Sequence, residues 1–143
     1  MKYHWCMDTL ENRRKMHGKI GEIAAQAYLE RCGYRIADAN VRFGRTGELD
    51  IVAWDRETLC FIEVKSRQGR PGSVAPAEAV TPSKQRQVAR LAWQYALRNH
   101  LLSGAEEISL RFDVVAVTLD SAGLVAHIDL IQGAFFAPEN LGE

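Results

Sequence analysis

Four charged residues interrupt two otherwise apolar runs. Gly47-Glu48-Leu49-Asp50-Ile51-Val52-Ala53-Trp54 and Leu59-Cys60-Phe61-Ile62-Glu63-Val64-Lys65 flank the polar tetrad Asp55-Arg56-Glu57-Thr58. Such runs around a short polar break predict an antiparallel hairpin. A turn centred between Arg56 and Glu57 sets Asp50 opposite Glu63, and Glu48 opposite Lys65. Opposed residues hold their Cβ atoms roughly 4.5–5.5 Å apart, and like charges there destabilise a sheet. Apolar neighbours leave little water to relieve the repulsion, so Asp50 and Glu63 require a cation between them. Carboxylate oxygens at that spacing suit a hard divalent ion such as Mg²⁺. Lys65 is two residues past Glu63 and shares its face. Its ammonium can meet a metal-bound water or a scissile phosphate without competing for the metal. An odd-numbered loop would put the two acids on opposite faces, scattering charge through two apolar surfaces. In the bland alternative, Glu48–Lys65 is an ordinary cross-strand ion pair and Asp50 a solvated strand-end acid, which leaves Glu63 unexplained.

The spacing Asp-x12-Glu-x-Lys resembles the PD-(D/E)-x-K signature of metal-dependent nucleases, with Leu49 where the signature has Pro. A longer series of segments resembles the YraN family of small bacterial proteins, predicted endonucleases related to archaeal Holliday-junction resolvases. They are Gly18-x-x-Gly21-Glu22 with Ala25, Tyr28 and Leu29; Asn40-x-Arg42; Gly47-Glu48-Leu49-Asp50; Phe61-Ile62-Glu63-Val64-Lys65-Ser66-Arg67; and Arg111-Phe112-Asp113-Val114-Val115. The resemblance implies a restriction-endonuclease-like fold and an endonuclease acting on DNA, branched or structured if the kinship extends to substrate. It allows a homodimer, because resolvase relatives pair to cut two strands.

The elements that must position these groups are legible in outline. Residues 1–14 are polar and mixed, an expected loose arm. Residues 17–31 form an expected helix, with Ile20, Ile23, Ala24 and Ala27 recurring at helical spacing and Gly33 as its stop. Strands are expected at 34–43, in the hairpin, at 109–119 and at 124–131, the last two joined by Asp120-Ser121-Ala122-Gly123. The segment from Gln68 to Ser73 reads as a loop. Thr81-Pro82 opens a second helix running to about residue 100 and burying Val88, Leu91, Ala92 and Tyr95. Strands apolar on both faces need helices on both sides, so the chain reads as a three-layer α/β domain with a mixed central sheet. A single domain spans 15–132, followed by a tail over 133–143.

On the first helix Glu22 lies about 20° from Leu29, at the margin of the apolar face. In resolvase-like relatives a helical Glu completes the acidic site, and Gly21-Glu22 matches it; the alternative is a solvated surface acid. The expected mechanism is metal-assisted phosphodiester hydrolysis. Asp50, Glu63 and the Val64 carbonyl hold Mg²⁺ or Mn²⁺, Lys65 positions the water, and Glu22 holds a second ion or a coordinating water. Arg67 and Arg70 are the preferred substrate-gripping residues. Lys84, Arg86 and Arg90 on the second helix either track a phosphate backbone or form its solvated face. Asp113 is either part of the site or a buried acid paired with Arg111 or Arg42. Trp54 and Trp93 read as core or partly buried. Rival readings are a catalytically silent nucleic-acid-binding module and a structural protein on the same fold.

Composition fits a small enzyme: 143 residues, 47% hydrophobic and 25% charged, enough for one core. The net charge is zero, yet residues 101–143 hold seven of the 18 acids and only Arg111 of the 18 bases. The first hundred residues are therefore basic, and local basic surface makes a phosphate footprint. Cys6, Cys32 and Cys60 form no CxxC pair and read as reduced packing residues. No signal peptide or membrane span is visible, so a soluble, cytoplasmic protein is expected.

Overall fold

The computed structural model describes residues 10–70, 80–102, 104 and 108–137. The first nine residues of the expected arm with Cys6, the loop beyond Arg70 and the end of the expected tail lie outside them. The elements are α1 (Leu10–Arg31), β1 (Arg35–Arg42), β2 (Glu48–Asp55), β3 (Thr58–Gln68), α2 (Pro82–Arg98), β4 (Ser109–Leu119) and β5 (Val125–Phe135). The sheet runs β1-β2-β3-β4-β5, antiparallel except for the β3–β4 pair. The parallel step is the one that α2 bridges, as a parallel connection requires.

The hairpin register is the even one. Asp55 pairs with Thr58 and Ile51 with Ile62, leaving Arg56 and Glu57 as a two-residue loop, with Arg56 at a φ of 56°. Side chains alternate along β3. Leu59 and Phe61 join a core with Val88, Leu91 and Tyr95 of α2, while Cys60 and Ile62 join a second core with Ala25 and Leu29 of α1. Each face of the sheet carries one helix. This three-layer mixed α/β arrangement is consistent with the expected restriction-endonuclease-like fold. Thr81 caps α2 by accepting the Lys84 N–H at 3.2 Å, and Pro82 begins the helix.

Helix α1 departs from expectation twice. It is already helical at Leu10, the first described residue and seven before the expected start, because residues 10–17 contain no Gly or Pro and are dominated by good helix formers; Lys15 pairs with Glu11 one turn away at 3.4 Å. Its buried stripe is Gly21, Ala25 and Leu29, whereas Ile23 is 62% exposed. Small residues won over large apolar ones because the helix rides directly on β3: a Cβ on Gly21 would overlap Ser66 Oγ. The helix stops at Gly33 (φ 93°), where Tyr34 N donates to Leu29 O at 3.0 Å, the closing bond of a Schellman turn. Strand β5 ends at Phe135, four residues beyond expectation. Trp93 is 47% exposed and Trp54 packs against the α2-side core. Cys60 is buried and Cys32 exposed, so only the former is a packing residue.

Candidate metal centre

The β2–β3 ladder ends at Ile51–Ile62. One residue further, the expected Asp50–Glu63 rung is replaced by a side-chain contact: Asp50 Oδ2 accepts the Val64 backbone N–H at 2.9 Å. The carboxylate stands in for a strand, the two chains part, and the acids stay adjacent. Glu48 does not meet Lys65. Its register partner is Arg42 of β1, whose Nε lies 3.2 Å from Glu48 Oε2; β2 is flanked on both sides, and Glu48 turns to the other neighbour. Lys65 lies 3.9 Å from Glu63 Oε1 instead.

From α1, Glu22 reaches this end of the hairpin. Carboxylate oxygens of Glu22, Glu48 and Asp50 lie within 4.8 Å of one another. Glu63 borders Asp50 and is not one of the trio; it is 5% exposed, with Lys84 Nζ at 3.7 Å. The Asn40 amide, oriented to satisfy both acids, donates to Glu48 Oε1 at 3.0 Å and to Glu22 Oε2 at 2.9 Å. Asn40 holds a left-handed φ of 52° within β1, a conformation Asn tolerates better than most residues.

Burial and crowding raise Glu63, Asp50 and Glu22. Burial comes first for Glu63 and the Asp50 charge second, pushing it up to about 7 against the relief given by Lys84 and Lys65. Asp50 is raised by burial and partly offset by the Val64 N–H and Lys84. Glu22 is raised by burial, then by Asp50 and Glu48. Clustered acids whose ionisation is suppressed by burial and by one another suit a ligand that supplies positive charge.

The acids floor a cleft of about 500 Å³ whose sides include Arg14 and His17 of α1 and Arg67 of β3. Arg14 was missed because it falls in the expected arm, and His17 because it opens the expected helix with no metal-ligand spacing to another histidine. Arg67 lines the cleft and Val64 contributes to its wall. Arg70, Arg86 and Arg90 are exposed and do not line it. Asp113 belongs elsewhere: fully buried, it takes Arg111 Nε at 2.8 Å, so of its two candidate partners Arg111 is the one found.

The family model described as "Uncharacterised protein family UPF0102" matches residues 21–117. A UPF0102 protein of Symbiobacterium thermophilum is 48% identical over 120 residues, 84% of this chain and 96% of its own. One from Geobacter sulfurreducens is 45% identical over 124 residues, 87% of this chain and 91% of its own. One from Acetivibrio thermocellus is 38% identical over 128 residues, 87% and 95% respectively. No helix among the described residues is long and apolar enough to cross a membrane.

Proposed function

The chain belongs to the uncharacterised UPF0102 (YraN) family, and from that premise we propose that it is a divalent-metal-dependent endonuclease hydrolysing phosphodiester bonds in DNA. The observation that carries this reading is the meeting of Glu22, Glu48 and Asp50 within 4.8 Å beside a buried Glu63 that is flanked by Lys65 and Lys84. The donor set fits a hard divalent cation such as Mg²⁺ or Mn²⁺: the gathered groups are carboxylates, with no imidazole or thiolate among them.

Asp50, Glu48 and Glu22 are the groups that would hold the ion, with Glu63 and the Val64 carbonyl beside them. A bound divalent ion supplies Lewis-acid polarisation of the phosphate and a water of lowered pKa. The remaining chemistry is the chain's own. Lys65, partly exposed at 36%, orients the attacking water through its ammonium and stabilises charge developing on the phosphorus oxygens. Lys84 holds the Glu63 carboxylate against the repulsion of Asp50. Arg67 on the cleft side takes a neighbouring phosphate, and Arg70 extends that grip.

The test is a cleavage screen over linear, forked and four-way DNA with Mg²⁺, Mn²⁺ or chelator. Metal-dependent cutting that disappears in Lys65→Ala, with calorimetric metal binding retained, supports the reading. Absence of cutting on every substrate, or cutting undiminished in Lys65→Ala, overturns it.

A further inference from the structure

Helix α1 continues past the part of the sheet it packs on, and its inward stripe changes character as it does. At 100° per residue, Arg14, Gly18, Gly21 and Ala25 fall within about 60° of one another. Ala25 is buried in the core, and Gly21 sits against Ser66. One turn further toward the N-terminus nothing among the described residues lies beneath the same stripe: a Cβ built on Gly18 meets none of their atoms within 4 Å. Gly18 borders the cleft that contains Asp50 and Glu63, and it also borders a second, shallower cleft lined by Lys15, Lys19 and Asn40 on the other side of Glu22. A glycine inside a helix costs stability unless its missing side chain is used. At Gly21 the use is packing. At Gly18 packing makes no demand, and the space it leaves opens over the acids.

We infer that Gly18 and Arg14 form the wall along which one phosphodiester strand of the nucleic acid lies, Gly18 admitting the strand close to the helix and Arg14 holding a phosphate beside the acidic centre. This rests on the nuclease reading and names the part of the molecule that receives its substrate. Arg14 is exposed and lines the same cleft as Arg67, so the strand passes between a guanidinium on α1 and one on β3. Lys15, which also pairs with Glu11, and Lys19 line the neighbouring cleft and add positive charge to this half of α1. The conformational cost of glycine in the helix is then retained for a steric reason on the ligand side.

The two roles have opposite signatures in one substitution. Gly18→Ala removes a helix-weakening glycine in open space, so the melting temperature should rise by a few degrees, while affinity for DNA falls. Gly18→Leu, which projects further into the cleft, should weaken binding about tenfold or more. Arg14→Ala should lower the slope of log affinity against log salt by about one. Arg31→Ala, exposed at the far end of the same helix, should change neither. The measurement is fluorescence anisotropy with an end-labelled four-way junction and an end-labelled single strand, in Ca²⁺ at several salt concentrations, beside thermal melts. If Gly18→Ala, Gly18→Leu and Arg14→Ala all bind as tightly as wild type, the inference is overturned although wild-type binding leaves the nuclease reading standing. Wild type that binds neither DNA at low salt overturns both.

Discussion

Two clusters of acids adjoin the β2–β3 hairpin, one built on Asp113 of β4 and reaching Asp55 at the turn, the other at the open end, and they treat their carboxylates in opposite ways. In the first, Asp113 accepts from Arg111 Nε and Nη2 at 2.8 and 3.0 Å, from the Tyr34 hydroxyl at 3.0 Å and from the Gly133 N–H at 2.9 Å. Arg111 also reaches Asp55 at 2.8 Å, and Gln132 donates to Tyr34 at 2.9 Å. Both oxygens of Asp113 are answered from within the chain, and the network ties β2, β4 and β5 to the start of β1. At the open end Glu63 has ammonium groups at 3.7 and 3.9 Å and a side-chain hydrogen bond with another acid, Asp50, whose charge repels its own. A buried acid neutralised by a guanidinium and neutral donors is part of the scaffold, and one bonded to another acid is an invitation to positive charge from outside. Burial alone does not separate the two; the charge of the bonded partner does.

The strongest way to break the scaffold end is Arg111→Met, which leaves Asp113 buried without its cation. A loss of about 3–5 kcal/mol in denaturant unfolding is expected, with divalent binding unchanged in any molecules that remain folded. A loss below about 1 kcal/mol would mean that the Tyr34 and Gly133 bonds suffice. At the open end, Lys65→Ala should lower single-turnover cleavage at saturating protein by about 10²–10³-fold while calorimetric metal affinity stays near wild type; a fall in metal affinity instead would make Lys65 a support of the acids.

Glu63 sharpens the contrast through pH. Its carboxyl is raised from an ordinary value near 4.5 to about 7 in the folded chain, so between those values the folded state binds more protons than the unfolded one. Its contribution is neutral below about 4.5 and becomes destabilising as pH rises to about 7 and above. Glu63→Gln should therefore stabilise the metal-free protein by roughly a few kcal/mol at pH 8 and by almost nothing at pH 4, read from chelator-treated melts. The opposite slope would show that Glu63 is already paired. Asn40→Gly, which keeps the left-handed backbone and deletes the amide, should cost about tenfold in Mn²⁺ affinity by calorimetry. No change would mean that Glu22 and Glu48 hold their places without it.

How much of this was legible depended on whether the determining contact was local. The even hairpin register followed from the four charged residues, which an odd loop would scatter through two apolar faces, and the α2 cap from Thr81-Pro82, which a few adjacent residues set. The partner of Glu48 was not, since it lies on β1 and sequence shows only the hairpin neighbour. The inward face of α1 was misjudged for a related reason: apolar spacing favoured Ile23, but contact with Ser66, 45 positions away from Gly21, selected the small residues. Asn40 is visible as a motif residue in Asn40-x-Arg42, yet its tie to Glu22 exists only once helix and sheet are docked. The Asp113 alternatives were open because Arg111 and Arg42 are equally eligible until the strands are ordered.

Strand β3 outruns β2. It keeps β4 as a partner as far as Gln68–Leu119, while β2 pairs no further than Ile62. Backbone groups point to alternate sides along a strand, and the Val64 N–H faces Asp50, so those of Ser66 and Gln68 face the same way, past the point where β2 has left. An edge of that kind is a template for another extended chain, and proteins commonly guard such edges with charge. Here the guard is Asp50 at the mouth and Arg67 along the rim. The acidic centre thus has a second consequence: Asp50→Ala, which takes the acceptor from the Val64 N–H, lengthens the edge that β2 leaves open among the described residues and should favour self-association through it.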